Sequence, residues 1–239
     1  MKKVILFLLL ALVALCLLLP IWVAVTGTFS ATWELKENLR PVLADGEGFA
    51  RWTVLPRSPT LRSLVQVLLD SPSFFPMFWN SVVIAVGTLL GQFLFAVPAG
   101  WALAKLHLPG EKQLGGLYMV LMLLPFQVLM YPEYLVLRAL GLLNTLWAVI
   151  LPGIFSAYPV FLLSRFFHAV PEEVLEAARL DGAGEWQIFR YIGLPMGLPG
   201  LLSVGILSFL DIWNLIEQPM TFLKDRSLWP LSLFLPETT

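Results

Sequence analysis

Residues able to do chemistry are few in this 239-residue chain, which holds two histidines and one cysteine. His107 and His168 lie far apart, and a zinc site of the usual kind needs more ligands. Cys16 sits in an apolar run, without the small preceding residue of a lipoprotein site; it reads as a buried apolar side chain with no disulfide framework around it. GxSxG, HExxH and clusters of His with carboxylates do not occur, so nothing points to an enzyme centre. A GxxxxGKS/T loop is also missing, so the chain binds no nucleotide in the P-loop manner. Ionisable groups that could relay protons reduce to Glu133, Asp211 and Glu217, all near the ends of apolar windows. Polar residues within or beside those windows are costly to bury and therefore informative: Asn80, Gln92, Gln127, Asn144, Asp211, Asn214 and Glu217. Trp213 beside Asn214 sets an aromatic face next to an amide, a pair suited to a sugar ring. The candidate solute path is accordingly Asn80, Gln127, Trp213, Asn214 and Glu217. The competing reading is that Asn80, Asn144 and Asp211 sit at span ends and merely face water.

The elements that position these residues follow from composition. Hydrophobic residues make up 58% of the chain and charged residues 13%, against about 25% charged in an ordinary soluble domain. A net charge of −1 implies no polyanionic partner, so no nucleic acid. Charge-free windows run Val4–Trp33, Ser71–Ala104, Gln113–Pro132, Ala139–Ser164 and Tyr191–Leu210, each of at least 20 residues. That length spans a bilayer core as a helix, and the windows are continuously apolar rather than alternating. The expectation is an all-α polytopic bundle with five visible spans. Lys2 and Lys3 followed by apolar residues resemble a signal peptide, but the 30-residue window favours a retained helix. Trp79 and Trp101, about 33 Å apart along a helix, suit the two interfaces of the second span. Gly87 and Gly91 form a GxxxG pair, equally readable as a packing seam or as chance. Pro98, Pro125 and Pro152 punctuate the spans. Lys and Arg totals give no orientation bias, although Lys2–Lys3 and Lys105–Lys112 abut spans and favour an inside N-terminus.

One segment carries a specific signal: VPEEVLEAARLDGAGEWQIFRYIGLP, residues 170–195. Pro171 suits the first position of a short helix, Glu172 and Glu173 suit its positive end, and Gly182 suits a left-handed cap. A second short helix with Trp186, Phe189 and Ile192 on one face follows, leading through Leu194-Pro195 into the fifth span. Ala177 and Ala178 thin one face for close approach, while Glu176, Asp181 and Glu185 add negative charge. Physics alone leaves two readings open, a protein-docking element and an interfacial amphipathic loop resting on lipid.

The spacing Glu176-Ala177-Ala178, Gly182, Ile192 and Leu194-Pro195 resembles the EAA loop of ABC-importer permeases, and the surrounding text resembles their carbohydrate, MalG-like branch. The resemblance implies a MetI-like permease fold, divided into an N-terminal transmembrane helix (1–33), an extracytoplasmic loop (34–70), a permease core (71–235) with a cytoplasmic coupling loop (168–192), and a tail (236–239). It implies a multi-pass protein of a prokaryotic inner membrane with a cytoplasmic N-terminus. The implied activity is translocation of a sugar or sugar-like solute. Another small polar solute, such as glycerol phosphate or a polyol, is the alternative, and an ion-coupled secondary carrier is a further one. Implied partners are a second permease subunit in a heterodimer, two cytoplasmic ATPase subunits, a solute-binding protein and the lipid bilayer. No cofactor is expected on this chain, ATP and Mg being held by the ATPase. Glu176, Ala177, Ala178, Asp181 and Gly182 would form the docking surface, and Ile192, Leu194 and Pro195 the hinge into the fifth helix. The family normally carries a further membrane helix after the region matching 211–235, whereas only Ser227–Pro236 is uncharged here, too short to cross.

Overall fold

The computed structural model describes residues 2–43, 46, 48–51, 53–106 and 109–234. His107, the side chain of Lys112 and the 236–239 tail lie outside the described residues. The protein is all-α, with no strand among the described residues beyond an isolated bridge between Ser30 and Pro59. It divides into two compact units, the first running to residue 74 and the second, in which all but the first residue of the long helix Phe74–Lys105 lies, covering 75–235.

In the first unit, α1 (Lys2–Thr28) is the apolar 27-residue helix expected from the first window. Cys16 is exposed on it, which corrects its reading as a buried side chain; an apolar residue in a spanning helix need only face lipid, and burial within the chain does not follow. The segment after it is more ordered than a mixed-charge loop. It forms α2 (Thr32–Leu43) and α3 (Arg62–Val65), the latter running into a π turn at Gln66–Asp70. Its organiser is Glu34, only 2% exposed. The Glu34 carboxylate accepts from the backbone N–H of Arg57 at 3.0 Å and of Ser58 at 3.3 Å, and from the Thr53 hydroxyl at 3.4 Å. These bonds, led by that from Arg57, hold its carboxyl below the usual range against the opposing effect of burial.

The second unit holds α4 (Phe74–Lys105), α5 (Glu111–Met122), α6 (Phe126–Ala139), α7 (Trp147–Ile154), α8 (Ala157–His168), α9 (Glu172–Leu180), α10 (Glu185–Ile188), α11 (Leu194–Trp213) and α12 (Glu217–Phe222). The third window is not one straight rod: α5 and α6 meet at a 97° bend. Pro125 lacks an amide hydrogen and sits extended at ψ 148°, so the helix stops before it and restarts after it. The fourth window becomes a helical stretch at Trp147–His168, broken around Ser156. It starts later than its charge-free stretch because Gly141 and Asn144 take positive φ, 69° and 59°, and turn the chain.

Trp101 is 3% exposed and lies at the centre of the largest core cluster, which corrects its placement at a membrane interface. Its ring meets Phe167 edge-on at 5.4 Å and Phe189 at 5.6 Å. Trp79 is exposed, as expected of an interfacial ring. Gly87 and Gly91 do form a seam: a Cβ on Gly91 would overlap Ile154 of the α7 helix, and one on Gly87 would press on Ile150 at 3.3 Å. Gln92, beside that seam, donates to the Gly153 carbonyl at 2.8 Å.

Candidate functional site

The 170–195 segment folds as an elbow. Pro171, at φ −61° and ψ 134°, caps α9 instead of opening it, so the helix begins at Glu172. Gly182 ends it at φ 83°, where a side chain would be strained although nothing lies within 4 Å of a Cβ there. The Ala183 N–H closes the turn by donating to the Ala178 carbonyl at 3.0 Å. Beyond it, α10, a π turn at Phe189–Gly193 and α11 form one uninterrupted helical rod, Glu185–Trp213. Ile192, Leu194 and Pro195 therefore lie within a continuous helix, and no break separates the elbow from the fifth span.

The elbow has two faces. Inward, Leu175 and Ile188 are wholly buried, and Ala178, Ile192 and Leu194 pack against the same core as Trp101. Outward, Glu176, Ala177, Asp181 and Gly182 are exposed together. Leu180 stands among them at 89% exposure. Leu180 was not singled out from sequence, yet helical spacing could have found it: five residues after buried Leu175, it falls about 140° round the helix. Phe189 is buried against Trp101, so it does not rest on lipid, whereas Trp186 is exposed.

A chain of charges braces the elbow. The Lys105 ammonium, at the end of α4, donates to the Val170 carbonyl at 2.7 Å and meets the Glu172 carboxylate at 3.3 Å. Glu172 also accepts from Arg179 at 3.0 Å, and Arg179 donates to Glu185 at 2.8 Å. The Arg179 hydrogen bond, with a lesser contribution from Lys105, holds the Glu172 carboxyl below the usual range and outweighs partial burial. Glu185 and Glu172 in turn raise the Arg179 guanidinium further.

The candidate path residues divide. Asn214 and Glu217 line one cavity of about 750 Å³ with Tyr158 and Asp211. Gln127 does not line it but donates to Glu217 at 2.9 Å. Asn214 also closes α11, donating to the Leu210 carbonyl at 2.7 Å. The Trp213 ring meets Phe78 edge-on at 6.0 Å and Phe209 at a tilt at 5.4 Å. Asn80 donates to the carbonyls of Ser227 at 2.7 Å and Trp229 at 3.1 Å, anchoring the segment after α12. Asn144 accepts from the N–H groups of Lys224 and Asp225 at 2.9 and 2.8 Å, and Ser81 accepts from Leu231 at 2.7 Å. One oxygen of Glu133 is buried with no hydrogen-bond partner. Among the described residues, no three His, Cys, Asp or Glu side chains come together as metal ligands.

Residues 48–217 match the family described as binding-protein-dependent transport system inner membrane component. The arabinooligosaccharides transport system permease protein AraQ of Halalkalibacterium halodurans is 29% identical over 223 residues, 93% of this chain and 76% of that protein. The trehalose transport system permease protein SugB of Mycobacterium tuberculosis is 35% identical over 205 residues, 84% of this chain and 73% of that protein. Among solved structures, a crystal structure of a bacterial ABC transporter involved in the import of the acidic polysaccharide alginate superposes with a TM-score of 0.79 at 25% identity. That match covers 97% of this chain and 78% of the other.

Proposed function

The chain belongs to the binding-protein-dependent transport system inner membrane components and is a permease subunit of an ABC importer; from that premise we propose that α9 docks on a separate cytoplasmic ATPase. The observation that carries the reading is the outward face of the elbow. Glu176, Ala177, Leu180, Asp181 and Gly182 are exposed on a short braced helix that continues as a rod into a span. An apolar knob ringed by carboxylates and small residues suits a protein cleft better than lipid, which would expel Glu176 and Asp181. On that reading α9 is cytoplasmic, and a cytoplasmic N-terminus is our reading of α1 from Lys2 and Lys3 abutting its apolar run. A second permease subunit and a solute-binding protein complete the assembly, with ATP and Mg held by the ATPase and no cofactor on this chain.

The solute we assign is a sugar or sugar-like molecule, in keeping with the relatives named for arabinooligosaccharides and trehalose. The cavity at Tyr158, Asp211, Asn214 and Glu217 supports that assignment. It carries two carboxylates and no Lys or Arg among its described lining residues. Hydroxyl groups can donate to such carboxylates, whereas a phosphate would be repelled.

The test is Glu176→Lys and Gly182→Pro in the assembled importer. Proline cannot take φ 83°. Both variants should insert in the membrane yet lose uptake, and Glu176→Lys should lose capture of the ATPase. Normal uptake by both would overturn the coupling role.

A further inference from the structure

We propose that Lys105 is the positioning residue that ties the α9 elbow to α4, so that a displacement of α9 drives that span along with the helices the chain already joins to it. The inference rests on the docking role of α9 argued above.

Lys105 ends α4 and could have extended into water, as a lysine at a helix end commonly does. Instead it is 5% exposed, and its ammonium turns under the start of α9. A buried ammonium is costly unless its donors are used. Two acceptors are supplied, both from the root of α9: the carbonyl of buried Val170 at 2.7 Å and the Glu172 carboxylate at 3.3 Å. The covalent chain already links α9 backward to α8 and forward, through Gly182, to the α10–α11 rod. It supplies no short link to α4, which precedes α9 by more than sixty residues. Lys105 provides that link with directional, charge-assisted bonds, whereas apolar packing alone permits sliding.

The rest of the charge chain makes the tie useful. Arg179 holds Glu172, at the start of α9, and Glu185, at the start of α10, at the same time. Both arms of the elbow are thus clamped across the glycine turn and move as one body. A push on the exposed Leu180 face then reaches α11 through the backbone and α4 through Lys105. The α4 helix passes it to α7 through the Gly87–Gly91 seam.

The experiment uses the importer complex purified with its partner permease and ATPase in nanodiscs, in a Cys16→Ser background. Spin labels go on exposed Leu90 of α4 and Leu202 of α11. The label separation is read with and without ATP, Mg and vanadate, which needs no identified solute. With Lys105 present, the two spans should move together and the separation should change by less than about 1 Å. Lys105→Met removes the charge, fills a similar volume and leaves no unpaired ammonium. It should retain the ATPase and its hydrolysis, yet shift the separation by about 2 Å or more on vanadate trapping. Lys105→Arg should restore the original behaviour in large part. An unchanged separation in Lys105→Met, or loss of its bound ATPase, overturns the proposal. Should Lys105→Met fail to assemble, Glu172→Gln weakens the same tie on the exposed side, and an unchanged separation there overturns it equally. Retention of the ATPase by Glu176→Lys would instead defeat the docking role itself, whatever Lys105 does.

Discussion

Gly193→Ala is the sharpest probe of how the elbow is seated on the bundle. Gly193 lies in the π turn that joins α10 to α11, flat against the Trp101 ring. A Cβ built there would stand 2.5, 2.8 and 2.9 Å from three carbons of that ring, where ordinary contact begins at 3.4 Å. Something must therefore move by about 0.9 Å, the shortfall between 3.4 and 2.5 Å. The ring cannot retreat cheaply, being wedged between Phe167 and Phe189. Overpacking of this kind costs about 1–3 kcal/mol. A helical Gly→Ala change returns about 0.5–1 kcal/mol through backbone entropy. The net loss is about 1 kcal/mol, which for a chain of this size lowers the melting temperature by about 3 °C. The assay is thermal unfolding of the detergent-solubilised subunit, followed by size-exclusion recovery after heating. Gly116→Ala, in α5, is the control because a Cβ there meets nothing within 4 Å; it should be neutral or slightly stabilising. Gly193→Ala combined with Trp101→Phe, which removes the obstructing ring edge, should lose less than the sum of the two single changes. Equal melting of Gly193→Ala and Gly116→Ala, or strict additivity in the double variant, would refute the reasoning.

Two other expectations concern polar ties. Asn144→Gly keeps the positive φ but removes the acceptor for Lys224 and Asp225, so limited proteolysis within 217–234 should speed up severalfold, about the effect of 1 kcal/mol; an unchanged rate would mean that the turn alone holds the segment. Glu172 has its folded-state value depressed, so its contribution to stability is fully present above the ordinary carboxylate value of 4.5 and drains away as pH falls through the lower folded value. Amide exchange at the start of α9, corrected for intrinsic rates, should thus be flat from pH 8 to pH 5 and accelerate in more acid solution, and Glu172→Gln should abolish that acid-side change.

How far the fold was legible depends on what each sequence signal measures. Charge-free windows measure transfer cost, and among the described residues each helix long enough to cross a bilayer falls at one of them. They say nothing of backbone continuity, so the bend at Pro125 and the late start at Trp147 lay outside their reach although Pro125 and Asn144 were in view. Gly182 was readable because a left-handed cap is a local demand met by one residue type. The faces of the elbow were half readable. Small Ala177 and Ala178 suggested a contact surface, but only the position of Leu175 shows that Ala178 turns inward and Leu180 outward. Trp101 misled because an aromatic ring at a span end suits lipid headgroups and a packed core equally well, and the glycine that decides between them, Gly193, is ninety-two residues away. Lys105 misled in the same way, reading as a flanking charge when its partners lie at 170 and 172.

Polar side chains in apolar helices answer first to the backbone, and this orders the candidate path. Wherever the chain leaves a helix near the bundle, its N–H and C=O groups need partners that hydrocarbon cannot supply. The stretch from Leu223 to Leu231 is such a place, and Asn80, Ser81 and Asn144 meet its demand from more than seventy residues away. Gln92 does the same for Gly153. In this unit Asp211, Asn214 and Glu217, at and just past the end of α11, share a cavity with Tyr158. The α10–α11 rod that carries Asp211 begins at Glu185, about 40 Å away at helical rise. The cavity and the elbow thus lie at opposite ends of one helical rod, the separation a device needs if, as proposed above, force applied to α9 at one face of a membrane is to change access at the other.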